Sequence, residues 1–308
     1  MMAGRAIAGV VVSLAVAAAA ATDRPAAPPA PIAALGLDPA QLELWNEGFA
    51  LETRESFRAS NERYEKLAAG HPESAFLAWR IARNYWRDGE RLPVGAKEDR
   101  HAAFARSLEW ADRSLARDPN CGECVLWAIV SRGRLATTMG VVASVSTVAP
   151  MAALIERGIA LQPTTRDNEW NTTLGNIYYA ASGFYRVAPE GVWVKWVIGA
   201  RGNKDRALDY IERAVAISPM RVDYRLELGA VLTCIGVERG DAAALERGRH
   251  ELEQTRALPH HLGTDPVDVK HAEILLAKPE LACGYSRDGF IDLRGVESAR
   301  VVTRGRRP

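Results

Sequence analysis

An all-α fold of stacked helical hairpins, either an open solenoid or a compact α-α superhelix with inserted loops and helices, is what the sequence predicts. Three observations predict it. Four phrases share one shape: Ser114-Leu-Ala-Arg-Asp-Pro119, Gly158-Ile-Ala-Leu-Gln-Pro163, Ala214-Val-Ala-Ile-Ser-Pro219 and the slightly shorter Thr255-Arg-Ala-Leu-Pro259. Each reads as a helix that must stop before Pro, with a small residue upstream where a neighbouring helix packs closely. His71-Pro72, after Tyr64-Glu-Lys-Leu-Ala-Ala, extends the series backwards. After these prolines come small-large pairs one turn apart: Leu174-Gly175-x-x-Tyr178, Ile81-Ala82-x-x-Tyr85 and Leu228-Gly229-x-x-Leu232. In each, the small residue lets two antiparallel helices approach and the large one fills the gap between them.

From the N-terminus, Arg5 precedes an uncharged stretch, Ala6 to Ala21, built almost wholly of Ala, Val, Leu and Ile. That is the pattern of an export signal, and Ala19-Ala20-Ala21 suits signal peptidase, so residues 1–21 are expected to be removed before Thr22. The stretch is shorter than the roughly 20 residues that cross a bilayer comfortably. The mature chain is therefore expected to be periplasmic or secreted, with no transmembrane span; an uncleaved N-terminal anchor is the alternative. Pro25, Pro28, Pro29 and Pro31 make 22–37 an extended linker, because proline fixes φ and removes backbone donors. The helical-repeat domain is expected over 38–282. A basic tail follows over 283–308, where Arg287, Arg294, Arg300, Arg304, Arg306 and Arg307 outnumber Asp288, Asp292 and Glu297. A solvated end explains that excess as well as a partner site does. The chain as a whole carries 39 basic and 38 acidic residues, a balance that argues against a nucleic-acid partner.

The run Leu174-Gly175-x-x-Tyr178, Ala207-x-x-x-Ile211, Ala214, Pro219 resembles the tetratricopeptide repeat family, whose pattern is Leu-Gly-x-x-Tyr, Ala-x-x-x-Phe, Pro. The prolines stand further apart than the roughly 34 residues of a standard repeat, so insertions are expected at 91–100, 138–150 and 183–203. With Leu126-Trp127-Ala128 and Ala272-Glu-Ile-Leu-Leu-Ala-Lys-Pro279, the layout is also similar to two related groups. These are the periplasmic T component of TRAP-type transporters and the regulator of microtubule dynamics family.

The tetratricopeptide resemblance implies that ligands meet the first helix of each repeat on its inner surface. Carried over, it places Trp79, Arg83 and Trp86 on one face, with Asn176 and Tyr179 in a later copy. Two tryptophans flanking Arg83 suit an acidic or aromatic ligand; the alternative is one core tryptophan beside a solvated arginine. Trp193 and Trp196, three residues apart in an apolar insertion, form either an exposed partner patch or a plug in the solenoid. The transporter resemblance implies that the insertions help to wall a small-molecule cavity. The uncharged run Leu135 to Ile155 holds too many polar residues and helix breakers for a membrane span.

Cys121-Gly-Glu-Cys124 is the one short motif able to carry chemistry. Val125 stands where haem attachment needs His, a zinc site needs a second ligand pair, and a thioredoxin-like catalyst needs a βαβ context. A structural disulfide at a helix start is expected, with thiol-disulfide exchange as the alternative; Cys234 and Cys283 are a second candidate pair. His260-His261 with His271 reads as surface histidines, since ligands must converge on a metal. With no nucleophile elbow, phosphate loop or zinc-protease helix, no catalytic residue, metal or cofactor is expected. The reading is a non-enzymatic scaffold for a protein or peptide partner in the cell envelope, with a small-molecule ligand as the alternative.

Overall fold

A computed structural model describes residues 30–139, 148–188 and 201–290 of the chain. The chain divides into two units, Met1–Gly36 and Leu37–Pro308. Within the first, α1 (Ala30–Ala33) is one helical turn inside the segment that the sequence reads as an extended linker. Pro31 is tolerated there because the first-turn amides have no intrahelical partner to lose.

The second unit opens at Asp38, whose carboxylate accepts from the Gln41 amide while the Gln41 side chain accepts from the Asp38 amide, a reciprocal cap on α2 (Pro39–Thr53). Next come α3 (Phe57–Gly70), α4 (Ala75–Arg91), α5 (Lys97–Arg117), α6 (Gly122–Met139), α7 (Val148–Ala160), α8 (Thr173–Val187), α9 (Lys204–Ile217), α10 (Val222–Arg239), α11 (Ala242–Thr255) and α12 (Asp265–Ala277). Ser74, Thr172, Asn203 and Asp241 cap α4, α8, α9 and α11 through their side chains. The helices pair as α2/α3, α4/α5, α6/α7, α8/α9 and α10/α11, and α12 packs on the last pair. That makes five hairpins among the described residues, within the four to five that the sequence predicts.

The small residue of each phrase sits where two helices touch. Ser114, Ala214 and Thr255 are completely buried, and a Cβ on Gly158 would lie 3.0 Å from Val125 and 3.2 Å from Ile177. Val125, Ile155, Ile177, Tyr178, Tyr185, Ile211 and Val231 form one core that runs through successive pairs. The tightest crossing joins α10 and α11, where a Cβ on Gly248 would meet the Thr233 hydroxyl at 2.5 Å and its amide nitrogen at 2.8 Å. Gly248→Ala is therefore expected to destabilise by about 2 kcal/mol through overpacking, although the same change in an open helix stabilises. Urea midpoints of the two proteins check the sign.

The inserted segments are shorter than the sequence suggests. α4 runs to Arg91 and α5 starts at Lys97, leaving only 92–96 outside helix. α8 continues through Gly183 to Val187, α6 reaches Met139 and α7 begins at Val148. The remainder of both other insertions, including Trp193 and Trp196, lies outside the described residues. Neither the plug nor the exposed patch is assigned to them.

The larger correction concerns the C-terminal segment. After α12 a 3-10 turn (Pro279–Gly284) leads into β1 (Tyr285–Ser286), which pairs antiparallel with β2 (Gly289–Phe290). Residues 283–290 are thus folded against the helices rather than beginning a solvated tail. Tyr285 is buried beside Leu226, Ala230 and Leu275, so an aromatic side chain, invisible to a count of charges, anchors the segment. No described helix is long and apolar enough to cross a membrane.

Candidate functional site

Arg80, Arg83 and Arg87 stand three and four residues apart on α4 and so share one face. They converge on Glu52, near the end of α2. Arg83 Nη2 donates to Glu52 Oε1 at 2.5 Å, Arg80 Nε donates to Oε2 at 2.9 Å, and Arg87 Nη1 lies 3.5 Å from Oε1. The Tyr64 hydroxyl donates to Oε2 at 3.1 Å. A second carboxylate arrives from the loop before α8, where Asp167 accepts from Arg83 at 3.2 Å and lies 3.9 Å from Arg87. Burial pushes the Glu52 carboxyl up, but Arg83, Arg80 and Arg87 together hold it below its usual value. Arg87 goes the other way: burial and the Arg83 charge push its pKa down to about 10. Three guanidinium groups against two carboxylates leave the cluster cationic.

The expected ligand face is only partly assembled. Arg83 stacks over Trp79 at 5.2 Å, which brings those two together. Trp86 instead packs edge-on to Trp127 at 5.8 Å. Arg83 is not the solvated residue of the alternative reading; it is 4% exposed and already paired with Glu52. The Arg83 Nε and Trp86 Nε1 groups are buried without an acceptor. Asn176 accepts from the Tyr224 hydroxyl at 2.8 Å and donates to Asn171, while Tyr179 stacks on Tyr224 at 5.4 Å. Asn176 thereby ties α8 to the loop before it, while Tyr179 packs α8 against α10. Glu52, Arg80 and Arg87 escaped sequence reasoning, although the arginine spacing on α4 was a usable signal. Asp167, 84 residues from Arg83, carried none.

A second charged cluster draws on the first helix of four pairs and on α12. Glu90 (α4), Arg134 and Thr137 (α6), Arg186 (α8), Glu227 (α10) and Asp268 (α12) face a shared interior that holds the C-terminal segment. Arg186 binds Glu227 through two bonds and also donates to the carbonyls of Ala282 and Cys283. Asp268, completely buried beneath Arg287, has its pKa pushed up to about 6 by burial, and Asp223 and Asp265 add to the rise. An unfolded aspartate titrates near about 3.9, so the fold binds the extra proton between the two values. This group's contribution to stability is fully present below the unfolded value and is lost as pH rises through the folded one. His271, pushed down chiefly by burial, acts in the opposite sense. The informative comparison is therefore with Asp268→Asn: wild type is expected to gain roughly 1 kcal/mol on that variant between about pH 7.5 and 5, read from urea midpoints.

Both cysteine pairs are bonded, Cys121 to Cys124 at the start of α6 and Cys234 to Cys283 between α10 and the 3-10 turn. The single cluster of metal-ligand side chains among the described residues is Cys234, Glu238 and Cys283, and its two sulfurs are joined to each other. His261 stacks on Trp170 at 4.7 Å, in keeping with a surface role.

No family model matches the sequence, and no curated protein does either. Solved structures do resemble the fold. A thermophilic tetratricopeptide repeat protein of Thermus thermophilus, TTC0263, matches with 11% identity over 76% of this chain and 100% of its own, at a TM-score of 0.51. Human IFIT1, as a dimer with PPP-AAAA, matches with 16% identity over 79% of this chain and 47% of its own, at 0.50. The same protein with m7Gppp-AAAA matches with 17% identity over 79% of this chain and 48% of its own, also at 0.50. Likeness at these identities speaks for architecture alone. Stacked hairpins, small residues at the crossings and these structural neighbours together give the chain the fold of a tetratricopeptide-like helical superhelix.

Proposed function

We propose that this protein is an exported, non-enzymatic scaffold that recognises an acidic segment of a protein partner beside α4, at Trp79, Arg83 and Arg87. The observation that carries the reading is the surplus cation. Arg87, one-third exposed, lies 3.5 Å from a carboxylate already shared by Arg80 and Arg83, and its pKa is depressed to about 10. An incoming carboxylate relieves that repulsion and gains a charge-assisted bond. Asp167, 47% exposed on its side chain, is held at the cluster as a displaceable counter-ion. Export is supported by the two disulfides, which persist in oxidising compartments. Recognition rather than catalysis is supported by a fold whose stacked repeats present a continuous surface.

The test is fluorescence anisotropy with a labelled oligo-glutamate peptide, and with an oligoadenylate as a control anion. Arg87→Ala is expected to weaken peptide binding about tenfold, the effect of losing one charge-assisted bond, while Asp167→Asn strengthens it. Equal affinity of wild type and Arg87→Ala would overturn the proposal, and preference for the oligoadenylate would replace the protein partner with a nucleic acid.

A further inference from the structure

The hairpin Tyr285–Phe290 places Arg287 and Asp288 at its turn, and both side chains are largely enclosed by the helices, 13% and 14% exposed. Asp288 Oδ1 accepts from Arg100 Nη2 at 2.5 Å, and its Oδ2 accepts from the Thr137 hydroxyl at 2.6 Å and lies 3.1 Å from Arg134 Nη1. Arg287 Nη2 donates to Asp268 Oδ2 at 2.9 Å and to Thr264 Oγ1 at 2.5 Å, and its Nε stands 3.9 Å from Glu90. These partners come from α4, α5, α6, α12 and the residue that precedes α12. Asp288 bridges 188 residues to Arg100.

Four features make this arrangement ligand-like. Among the described residues the strands pair only with each other, at two residues each, and so short a hairpin is marginal alone; the seat orders it. A buried ion pair adds little net stability, because desolvation offsets attraction, and what it supplies is discrimination between sequences. The root is fixed separately from the tip: Cys283 is bonded to Cys234, and Arg186 holds the carbonyls of residues 282 and 283, so the turn can leave its seat while its base stays anchored. The fit is also incomplete, since Arg287 Nε, Asp268 Oδ1 and the Tyr285 hydroxyl are buried without hydrogen-bond partners.

We infer that the seat formed by Glu90, Arg100, Arg134, Thr137, Thr264 and Asp268 is a recognition site for a partner segment that presents a basic residue followed directly by an acidic one in a tight turn, and that Arg287–Asp288 is its tethered resident ligand. This rests on the reading of the protein as a scaffold for a protein partner, but it uses a different cluster from the one around Glu52. The partner competes with an intramolecular occupant whose effective concentration is of millimolar order for so short a tether. Binding is therefore gated by the chain's own C-terminal hairpin.

The test uses the full chain carrying Arg287→Ala with Asp288→Ala and a labelled peptide of the sequence Gly284–Phe290. The peptide is expected to bind this variant at least about tenfold more tightly than wild type, since the competitor is disabled. Exchanging the order of Arg and Asp in the peptide should abolish binding. Adding Arg100→Ala should abolish it too while leaving oligo-glutamate binding at Arg87 unchanged, which separates failure here from failure of the acidic-segment proposal. A variant with native circular dichroism that ignores the peptide, or binds both orders equally, overturns the inference. If the variant does not fold, wild type decides through hydrogen exchange with peptide at roughly ten times the tether's effective concentration. Exchange at 286–290 should then rise several-fold with α10 unchanged, and no rise overturns the inference.

Discussion

Glu52→Ala is expected to destabilise the protein by about 3–5 kcal/mol, the usual cost of removing one partner from a buried ion cluster. The carboxylate is 6% exposed and is shared by three guanidinium groups, of which Arg83 is 5% and Arg80 10% exposed on their side chains. Without it those charges face one another at close range with only half-exposed Asp167 to offset them. For a unit of this size the loss corresponds to a fall of roughly 10 °C in melting temperature, measured by circular dichroism. Glu52→Gln keeps the shape and removes the charge, so it should show most of the loss; a near-native melt for Glu52→Gln would mean that Glu52 acts by packing rather than charge. Asp167→Asn is expected to cost less than about 1 kcal/mol, because an exposed pair is screened by water. The Glu52 carboxyl titrates below its ordinary value in the fold, so its contribution is complete above about pH 4.3 and disappears as pH falls through the lowered value.

Replacing Cys234 and Cys283 together with Ser should cost about 4 kcal/mol, and replacing Cys121 and Cys124 about 2 kcal/mol. The difference follows from the loops they close. Residues 234 and 283 are 49 apart in sequence, so their bond removes far more freedom from the unfolded chain than one spanning three residues. The longer bond also ties the root of the C-terminal hairpin to α10. Guanidinium midpoints of the two double variants should therefore differ, with Cys234/Cys283 the lower. Equal midpoints would show that strain or residual structure in the unfolded chain, rather than loop length, sets the contribution of each bond.

Much of the architecture was legible because it is local. A Pro must end a helix, and a Ser, Gly, Ala or Thr several residues upstream is what a close crossing demands; Ser114, Gly158, Ala214 and Thr255 all sit at such crossings. The Cys121–Cys124 bond was legible for the same reason, since both residues lie within one turn of chain. The extents of the insertions were misjudged because glycine inside a helix and charged loop residues look alike in sequence; Gly183 stays helical, and 91–100 contributes only 92–96 as loop.

The candidate sites were legible only in fragments. The tetratricopeptide resemblance pointed to Arg83 and Trp79, but their meaning changed once Glu52 arrived from α2 and Asp167 from the loop before α8. Arg287 and Asp288 read as part of a basic tail, because nothing within several residues of them hints at Arg100, Arg134 or Asp268.

The amino-acid sequence by itself determined the hairpins, the helix ends marked by proline and the stacking, because these depend on backbone chemistry and side-chain volume within one or two turns. Tertiary structure alone decided which charges meet in the interior, that Arg83 is taken by Glu52, and that the C-terminal hairpin pairs with α4, α5, α6 and α12. The physical reason is range. A burial pattern repeats along the chain and can be read from it, whereas an ion pair closed across 188 residues exists only after the superhelix has brought its two ends together.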